Sequence, residues 1–168
     1  AGNFNLTNVD ELFDILVNIG QHPKEVSDTI TIIEKIGHFL DQENTRIFKK
    51  HIEKGVDNKE ISNIIARNLN IENILKNASS DWDGGYTMAG LLGHGDAFVI
   101  RDPNGIRPAF WYEDDEVFVV TSERPVIQTA FNIKWEEIKE LNPGNALIIK
   151  KDNSFKEVEI NPPKEIKK

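Results

Sequence analysis

Residues 93–108 have the sequence GHGDAFVIRDPNGIRP. The run from Asp96 to Ile100 is mostly apolar and contains β-branched residues, which predicts a strand buried in a core. The next residues, DPNG at 102–105, predict a tight turn, because proline fixes its own φ and asparagine and glycine tolerate positive φ. An aromatic strand is expected after Pro108, at Ala109–Tyr112. The segment therefore predicts two strands joined by a specified turn, which we interpret as a rigid hairpin.

The chain before this segment has helical periodicity, and the chain around it has a period of two. Asn8 and Glu11 have the spacing of a capping box, and Ser27 and Asp28 suit the start of a second helix. Helices in the first half and antiparallel strands in the second indicate the α+β fold class. Predicted helices cover about 9–20, 27–40, 45–54, 57–65, 71–76 and 125–131, and further strands cover 86–92, 117–121, 146–150 and 155–160. One domain is predicted over 1–160, followed by a linker over 161–168.

Composition excludes several classes of function. The chain has 168 residues and a net charge of −8 without a concentrated basic patch, which argues against a nucleic-acid partner. It has no cysteine, so disulfides, thiolate metal sites and cysteine nucleophiles are excluded within these residues. No apolar run has the length of a membrane helix, and no histidine has a second ligand at metal spacing. A chain that starts at Ala1 and whose only methionine is Met88 predicts a processed or excised product.

Several motifs in this order and spacing resemble a known family. They are Asp83-Gly84-Gly85-Tyr86-Thr87, Gly93-His94-Gly95, the string from Arg101 to Pro108, Thr121-Ser122-Glu123 and Leu141-Asn142-Pro143-Gly144-Asn145. The pattern is similar to the class II glutamine amidotransferase domain of the amidophosphoribosyltransferase family. The resemblance implies the N-terminal-nucleophile hydrolase fold, a layered αββα sandwich, of which this chain would be a part lacking the N-terminal segment.

The resemblance also implies a reaction. In this family an N-terminal cysteine attacks the carboxamide of glutamine, with its own α-amine as base, and an oxyanion hole stabilises the developing charge. Ammonia then passes to phosphoribosyl pyrophosphate on a separate phosphoribosyltransferase domain and gives phosphoribosylamine, in early purine synthesis. No cofactor is expected in this chain, and magnesium would belong to the separate domain. The implied parent is cytoplasmic and homo-oligomeric, with no membrane or nucleic-acid partner.

The family's oxyanion motif, NGNLTN, is similar to NFNLTN at residues 3–8. Without a gap, Asn3 matches the oxyanion asparagine, and Phe4 stands at the glycine and would donate its backbone N–H. The alternative register places Ala1 and Gly2 at these positions, which loses the side-chain amide. Phe4 would be strained if the site required positive φ or a close backbone approach.

Asp28 matches the family aspartate that holds the α-ammonium group of glutamine, a charge-assisted contact. The other interpretation is structural, with Ser27 as N-cap and Asp28 in the favourable first helical turn. The segment 101–108 also has two interpretations. Arg107 or Asp102 could form local bonds that hold the turn, or could act on the substrate.

The nucleophile and an arginine that holds the substrate carboxylate lie upstream of Ala1 in the family pattern. We therefore expect this chain not to turn over glutamine. The alternative hypothesis is a catalytically degenerate domain kept as a scaffold or for subunit contact, which Phe4 at the glycine position motivates.

Overall fold

The computed structural model describes residues 1–163 and has an α+β fold, with helices early and strands later, as predicted. Residues group into two compact units, Asn8–Trp82 and Ala1–Thr7 with Asp83 onward. The helical unit contains α1 (Val9–Asn18), α2 (Asp28–Ile52), α3 (Asn58–Asn68) and α4 (Ile71–Ser79). The other unit contains β1 (Gly2–Leu6), β2 (Gly84–Leu91), β3 (Ala97–Arg101), β4 (Phe110–Glu113), β5 (Phe118–Thr121), α5 (Arg124–Phe131), a 3₁₀ turn (Trp135–Glu137), β6 (Lys139–Glu140), β7 (Asn145–Ile149) and β8 (Phe155–Glu159).

Helix α2 corrects one expectation. Two helices were predicted over 27–40 and 45–54, but α2 runs unbroken for 25 residues. No glycine or proline separates residues 40 and 45, and the side chain of Arg46 donates two hydrogen bonds of 2.8 Å to Glu43. Ile47 continues the buried face. The polar segment between the two expected helices is therefore an internal helical turn.

The helical unit is held together by polar contacts as well as by its apolar core. Ser27 caps α2 as predicted, accepting from the N–H of Ile30 at 3.3 Å. Asn8 is the N-cap residue of α1, but its side chain makes no cap bond, so the predicted capping box is wrong. Its amide instead donates to the Asp81 carbonyl at 2.9 Å, and the buried Lys35 pairs with the Asp81 carboxylate.

The strand unit contains two antiparallel sheets. One has the order β1-β2-β3-β7-β8, and the other has the order β5-β4-β6. A buried cluster joins residues of both sheets, namely Val99, Ala109, Trp111, Leu141 and Leu147, with Phe118 and Val120 packed against it. Strand β1 was not predicted, although its neighbour β2 was.

The segment 93–108 is not a hairpin. Strand β3 lies in the five-stranded sheet and β4 in the three-stranded sheet, so the turn carries the chain from one sheet to the other. The two strands were predicted correctly, but the pairing between them was not.

The end of the described chain is tied to the strand unit. Asn161, the first residue of the predicted linker, donates its backbone N–H to the Gly144 carbonyl at 2.9 Å. Its side chain donates to the Tyr86 hydroxyl at 3.1 Å. The last five residues of the predicted linker, 164–168, lie outside the described residues. Of the described helices, none combines the length and the apolar character that crossing a membrane requires.

Candidate functional site

Asn3 and Phe4 lie in the middle of β1, at one edge of the five-stranded sheet. Asn3 is opposite Thr87 and Phe4 is opposite Tyr86 in the antiparallel register with β2. The side chain of Asn3 is exposed and has no hydrogen-bond partner among residues 1–163, whereas Phe4 is half-buried. Side chains alternate along a strand, so the two point to opposite faces of the sheet.

The backbone N–H of Phe4 points away from β2. Antiparallel pairs alternate between two residues that exchange both backbone bonds and two that exchange none. Ala1 and Ala89 exchange both, at 3.0 and 2.8 Å, so Asn3 and Thr87 repeat that pattern two residues along. Phe4 and Tyr86 then form a pair that exchanges none.

The bonds of Tyr86 agree with this assignment. Its carbonyl accepts from the N–H of Asp102 at 2.8 Å, and its N–H points to an Asp102 carboxylate oxygen at 3.4 Å, both on the β3 side. Because β1 is an edge strand, the N–H of Phe4 faces a side of the sheet with no neighbouring strand among residues 1–163. In the alternative register Gly2 would be the backbone donor, and its N–H also points away from β2. Ala1, which would stand at the asparagine position, has no side-chain amide.

Phe4 is not strained by standing where the family pattern has glycine. The described non-glycine residues with positive φ are Asn132 and Asn153, so Phe4 does not need the left-handed conformation. Its ring packs over Gly2, where an added Cβ would lie 2.6 Å from Cε1 of the ring. This contact is on the face opposite the Asn3 side chain. The bulk of Phe4 therefore does not cover that side chain.

The face that carries Asn3 also carries Asn5, Gly85 and Thr87, and we call it the asparagine face. Asn5 lies opposite Gly85 in the register. The hydroxyl of Thr87 donates to the carbonyl of Arg107 at 3.2 Å, so the turn at 102–107 borders this face. The two strands approach closely here, because a Cβ on Gly84 would lie 2.2 Å from the Asn5 carbonyl oxygen.

Asp102 organises the turn. Its fully buried carboxylate accepts from the N–H groups of Asn104, Ile106 and Arg107 at 3.0, 2.9 and 2.9 Å. Its carbonyl accepts from the N–H of Gly144 at 3.0 Å. Both oxygens of the carboxylate therefore already accept hydrogen bonds from the turn backbone, and the carboxylate is not available to a ligand.

Arg101 complements Asp102 by donating to the carbonyls of the same turn. Its guanidinium reaches the carbonyls of Arg107, Gly105 and Leu141 at 2.7, 3.3 and 2.5 Å, and the Glu140 carboxylate at 2.8 Å. Arg101 and Asp102 thus bind opposite poles of the turn backbone. This bears out the local, architectural interpretation for Asp102.

Asp96 closes the other end of the segment. Its buried carboxylate accepts from the Lys150 ammonium at 2.5 Å and from the Lys151 N–H at 2.9 Å. Burial acts to raise the pKa of Asp96, but the hydrogen bonds from Lys150, Lys151 and His94, together with the positive charge of Lys150, outweigh burial and hold the pKa below its ordinary value. The carboxylate therefore stays charged and fixes the β2–β3 connection to β7.

Asp28 belongs to the helical unit, where it is the first residue of α2 after the cap Ser27. This position agrees with the structural interpretation, and a carboxylate there also interacts favourably with the helix dipole. A substrate role for Asp28 rests on the sequence resemblance alone. Within residues 1–163 no group of three or more histidine, cysteine or acidic side chains is arranged to hold a metal ion.

No family model matches the chain. Curated relatives include the amidophosphoribosyltransferase of Lachancea kluyveri, which is 29% identical over 67% of this chain and 25% of its own length. The amidophosphoribosyltransferase of Saccharomyces cerevisiae is 31% identical over 66% of this chain and 24% of its own length. The chain thus spans about a quarter of the length of the curated relatives it matches.

A solved structure shares the fold. The glutamine phosphoribosylpyrophosphate amidotransferase from B. subtilis, complexed with ADP and GMP, is 23% identical with a TM-score of 0.63, over 96% of this chain and 28% of that chain. The resemblance drawn from the motifs is confirmed by these matches. The chain is a relative of amidophosphoribosyltransferase that corresponds to about a quarter of that protein and has the fold of N-terminal-nucleophile amidotransferases.

Proposed function

We propose that this chain is the glutamine-binding part of an amidotransferase, and that Asn3 and Phe4 bind the carboxamide oxygen of glutamine. The observation that carries this proposal is the backbone N–H of Phe4, which faces the open edge of the sheet directly beside the exposed side chain of Asn3. Two such donors match the chemical need of an oxyanion hole, which stabilises the negative oxygen of a tetrahedral intermediate. Each donor of this kind typically stabilises the transition state by about 3–4 kcal/mol.

A cysteine nucleophile is not within these 168 residues, because they contain no cysteine. We therefore propose that the chain alone holds glutamine without hydrolysing it. In a parent protein with the reaction of amidophosphoribosyltransferase, a cysteine would attack the carboxamide carbon, and ammonia would pass to phosphoribosyl pyrophosphate to give phosphoribosylamine. Asp28 would hold the α-ammonium group of glutamine, as the sequence resemblance implies.

The scaffold hypothesis is less well supported than binding. It was motivated by Phe4 at the glycine position, on the expectation that a bulky residue would be strained there. Phe4 has no positive φ, and its ring lies on the face opposite Asn3. The replacement thus leaves both donors free of the aromatic side chain.

Calorimetric titration of the purified chain with L-glutamine tests the proposal. Asn3→Ala is expected to weaken binding about tenfold, the loss of one hydrogen bond at roughly 1.4 kcal/mol. Asn5→Ala is the matched control, because Asn5 is an exposed asparagine on the same face of the same strand. Equal effects of the two substitutions, or no glutamine binding at all, would contradict the proposal.

A glutaminase assay tests the expected inactivity. The purified chain should release no ammonia from glutamine above background. Measurable turnover that Asp28→Ala abolishes would show that a nucleophile other than cysteine is present.

A further inference from the structure

The side chain of Ile106 lies on the asparagine face, against Gly85 of β2. A Cβ added to Gly85 would lie 2.6 Å from Cγ2 and 3.0 Å from Cβ of Ile106, so the isoleucine occupies the space above this glycine. Gly85 is the cross-strand partner of Asn5, and Asn3 lies two residues before Asn5 on the same face. An apolar side chain therefore stands beside the two exposed asparagines of β1.

The turn makes a step on this face. Over β2 the turn covers the face, through its contacts with Gly85 and Thr87. Over β1 the face is open, because Asn3 and Asn5 are exposed. Neighbouring strands are about 4.8 Å apart, and apolar groups are in contact within about 4.0–4.5 Å. A ligand that lies across the asparagines is therefore within contact distance of Ile106.

The turn holds Ile106 by its backbone rather than by its side chain. The N–H of Ile106 donates to the Asp102 carboxylate at 2.9 Å, whereas its side chain is 58% exposed and lies outside the buried cluster that joins the two sheets. Exposed isoleucines are common on protein surfaces, so the position of this one carries the inference. Because its backbone is fixed, the apolar wall is formed before a ligand binds, which reduces the entropy lost on binding.

We propose that Ile106 is the apolar wall of the glutamine site and contacts the two methylene groups of the glutamine side chain. This rests on the proposed function, because these methylene groups follow directly after the carboxamide that Asn3 and Phe4 hold. Ligand sites combine apolar surface with a few polar groups that fix orientation. Ile106 thus selects for the length of the side chain, since asparagine has the same end groups and one methylene fewer.

Calorimetric titration of the chain with L-glutamine and with L-asparagine tests the proposal. Ile106→Ala is expected to weaken L-glutamine binding about fourfold, the effect of burying one whole methylene group or two half-buried ones. L-asparagine has one methylene in place of two, so its binding should weaken only about twofold. Ile106→Leu keeps the apolar volume and should bind L-glutamine as the wild type does.

Ile52→Ala is the control, because Ile52 is also an exposed isoleucine and lies at the C-terminal end of α2. It should leave the binding of both amino acids unchanged. Equal weakening by the two alanine substitutions would overturn the proposal. So would an Ile106→Ala variant that weakens L-glutamine and L-asparagine equally.

Methyl NMR tests the contact independently of affinity. In a chain with ¹³C-labelled isoleucine δ1 methyl groups, the Ile106 signal is assigned by its loss in Ile106→Leu. This signal should shift saturably with L-glutamine and show an intermolecular NOE to the methylene protons of the ligand. The absence of this NOE at saturating L-glutamine would overturn the proposal. If Ile106→Ala fails to fold, this measurement on the wild-type chain decides the question.

The outcomes separate this inference from the proposed function. Glutamine binding that needs Asn3 but is unchanged in Ile106→Ala would refute the role of Ile106 and leave the proposed function standing. Glutamine binding that Asn3→Ala leaves unchanged, with an NOE at Ile106, would refute the proposed function and retain the apolar wall. No glutamine binding at all would refute both.

Discussion

Replacing Asp102 with asparagine should lower the free energy of unfolding by about 3.5–5 kcal/mol. One carboxylate oxygen accepts from the N–H groups of Asn104 and Ile106, and the other from Arg107. Asparagine keeps one acceptor and places an NH₂ group where the other was, facing a backbone donor. Two charged hydrogen bonds then become neutral, each losing about 1 kcal/mol, and the third is lost at about 1.5–3 kcal/mol.

Urea unfolding followed by tryptophan fluorescence measures this loss, since Trp111 is buried in the strand unit. Asp115→Asn is the matched control, because Asp115 is exposed in the β4–β5 turn and makes no hydrogen bond within residues 1–163. The control should change stability by less than about 0.5 kcal/mol. A difference below about 1 kcal/mol between the two variants would refute the idea that this carboxylate holds the turn together.

Two further predictions concern the same unit. Gly84→Ala should destabilise the protein by about 1–3 kcal/mol, because Gly84 has a φ of 122° and its added Cβ would meet the Asn5 carbonyl. Thermal melting measures this loss. Gly93→Ala is the control and should show no comparable loss, because a Cβ there meets nothing within 4 Å. Because the pKa of Asp96 is lowered on folding, its contribution is present above its unfolded pKa and is lost as pH falls through the folded pKa. The stability difference between wild type and Asp96→Asn should therefore be constant near neutral pH and shrink below about pH 4 in urea titrations, and a difference that grows in acid would contradict this sign.

The strands and turn of 93–108 could be predicted because their signals are local. An apolar run defines β3, and the positive φ of Gly105, at 66°, agrees with the turn chemistry. The pairing could not be predicted, because β3 pairs with β2 and β7 in one sheet, whereas β4 pairs with β5 and β6 in the other. Sequence patterns describe the strand and the turn but not the long-range partner.

The residues of the candidate site come from the sequence resemblance, whereas their geometry is visible only in the structure. Strand β1 has only Phe4 and Leu6 as apolar side chains in five residues, and it forms through pairing with β2 about 80 positions along the chain. The outward N–H of Phe4 follows from the register of that pairing. This property has no local sequence signal.

We propose that the Phe4 N–H is an available donor that acts with Asn3 on a carboxamide oxygen. The most direct measurement is the amide resonance of Phe4 in ¹⁵N NMR spectra of the chain titrated with L-glutamine. We predict that L-glutamine shifts the Phe4 resonance to lower field and that the shift saturates. The glutamine affinity obtained from this titration should be about tenfold weaker in Asn3→Ala and unchanged in Asn5→Ala. A Phe4 resonance that does not respond while glutamine binds elsewhere on the chain would contradict the account.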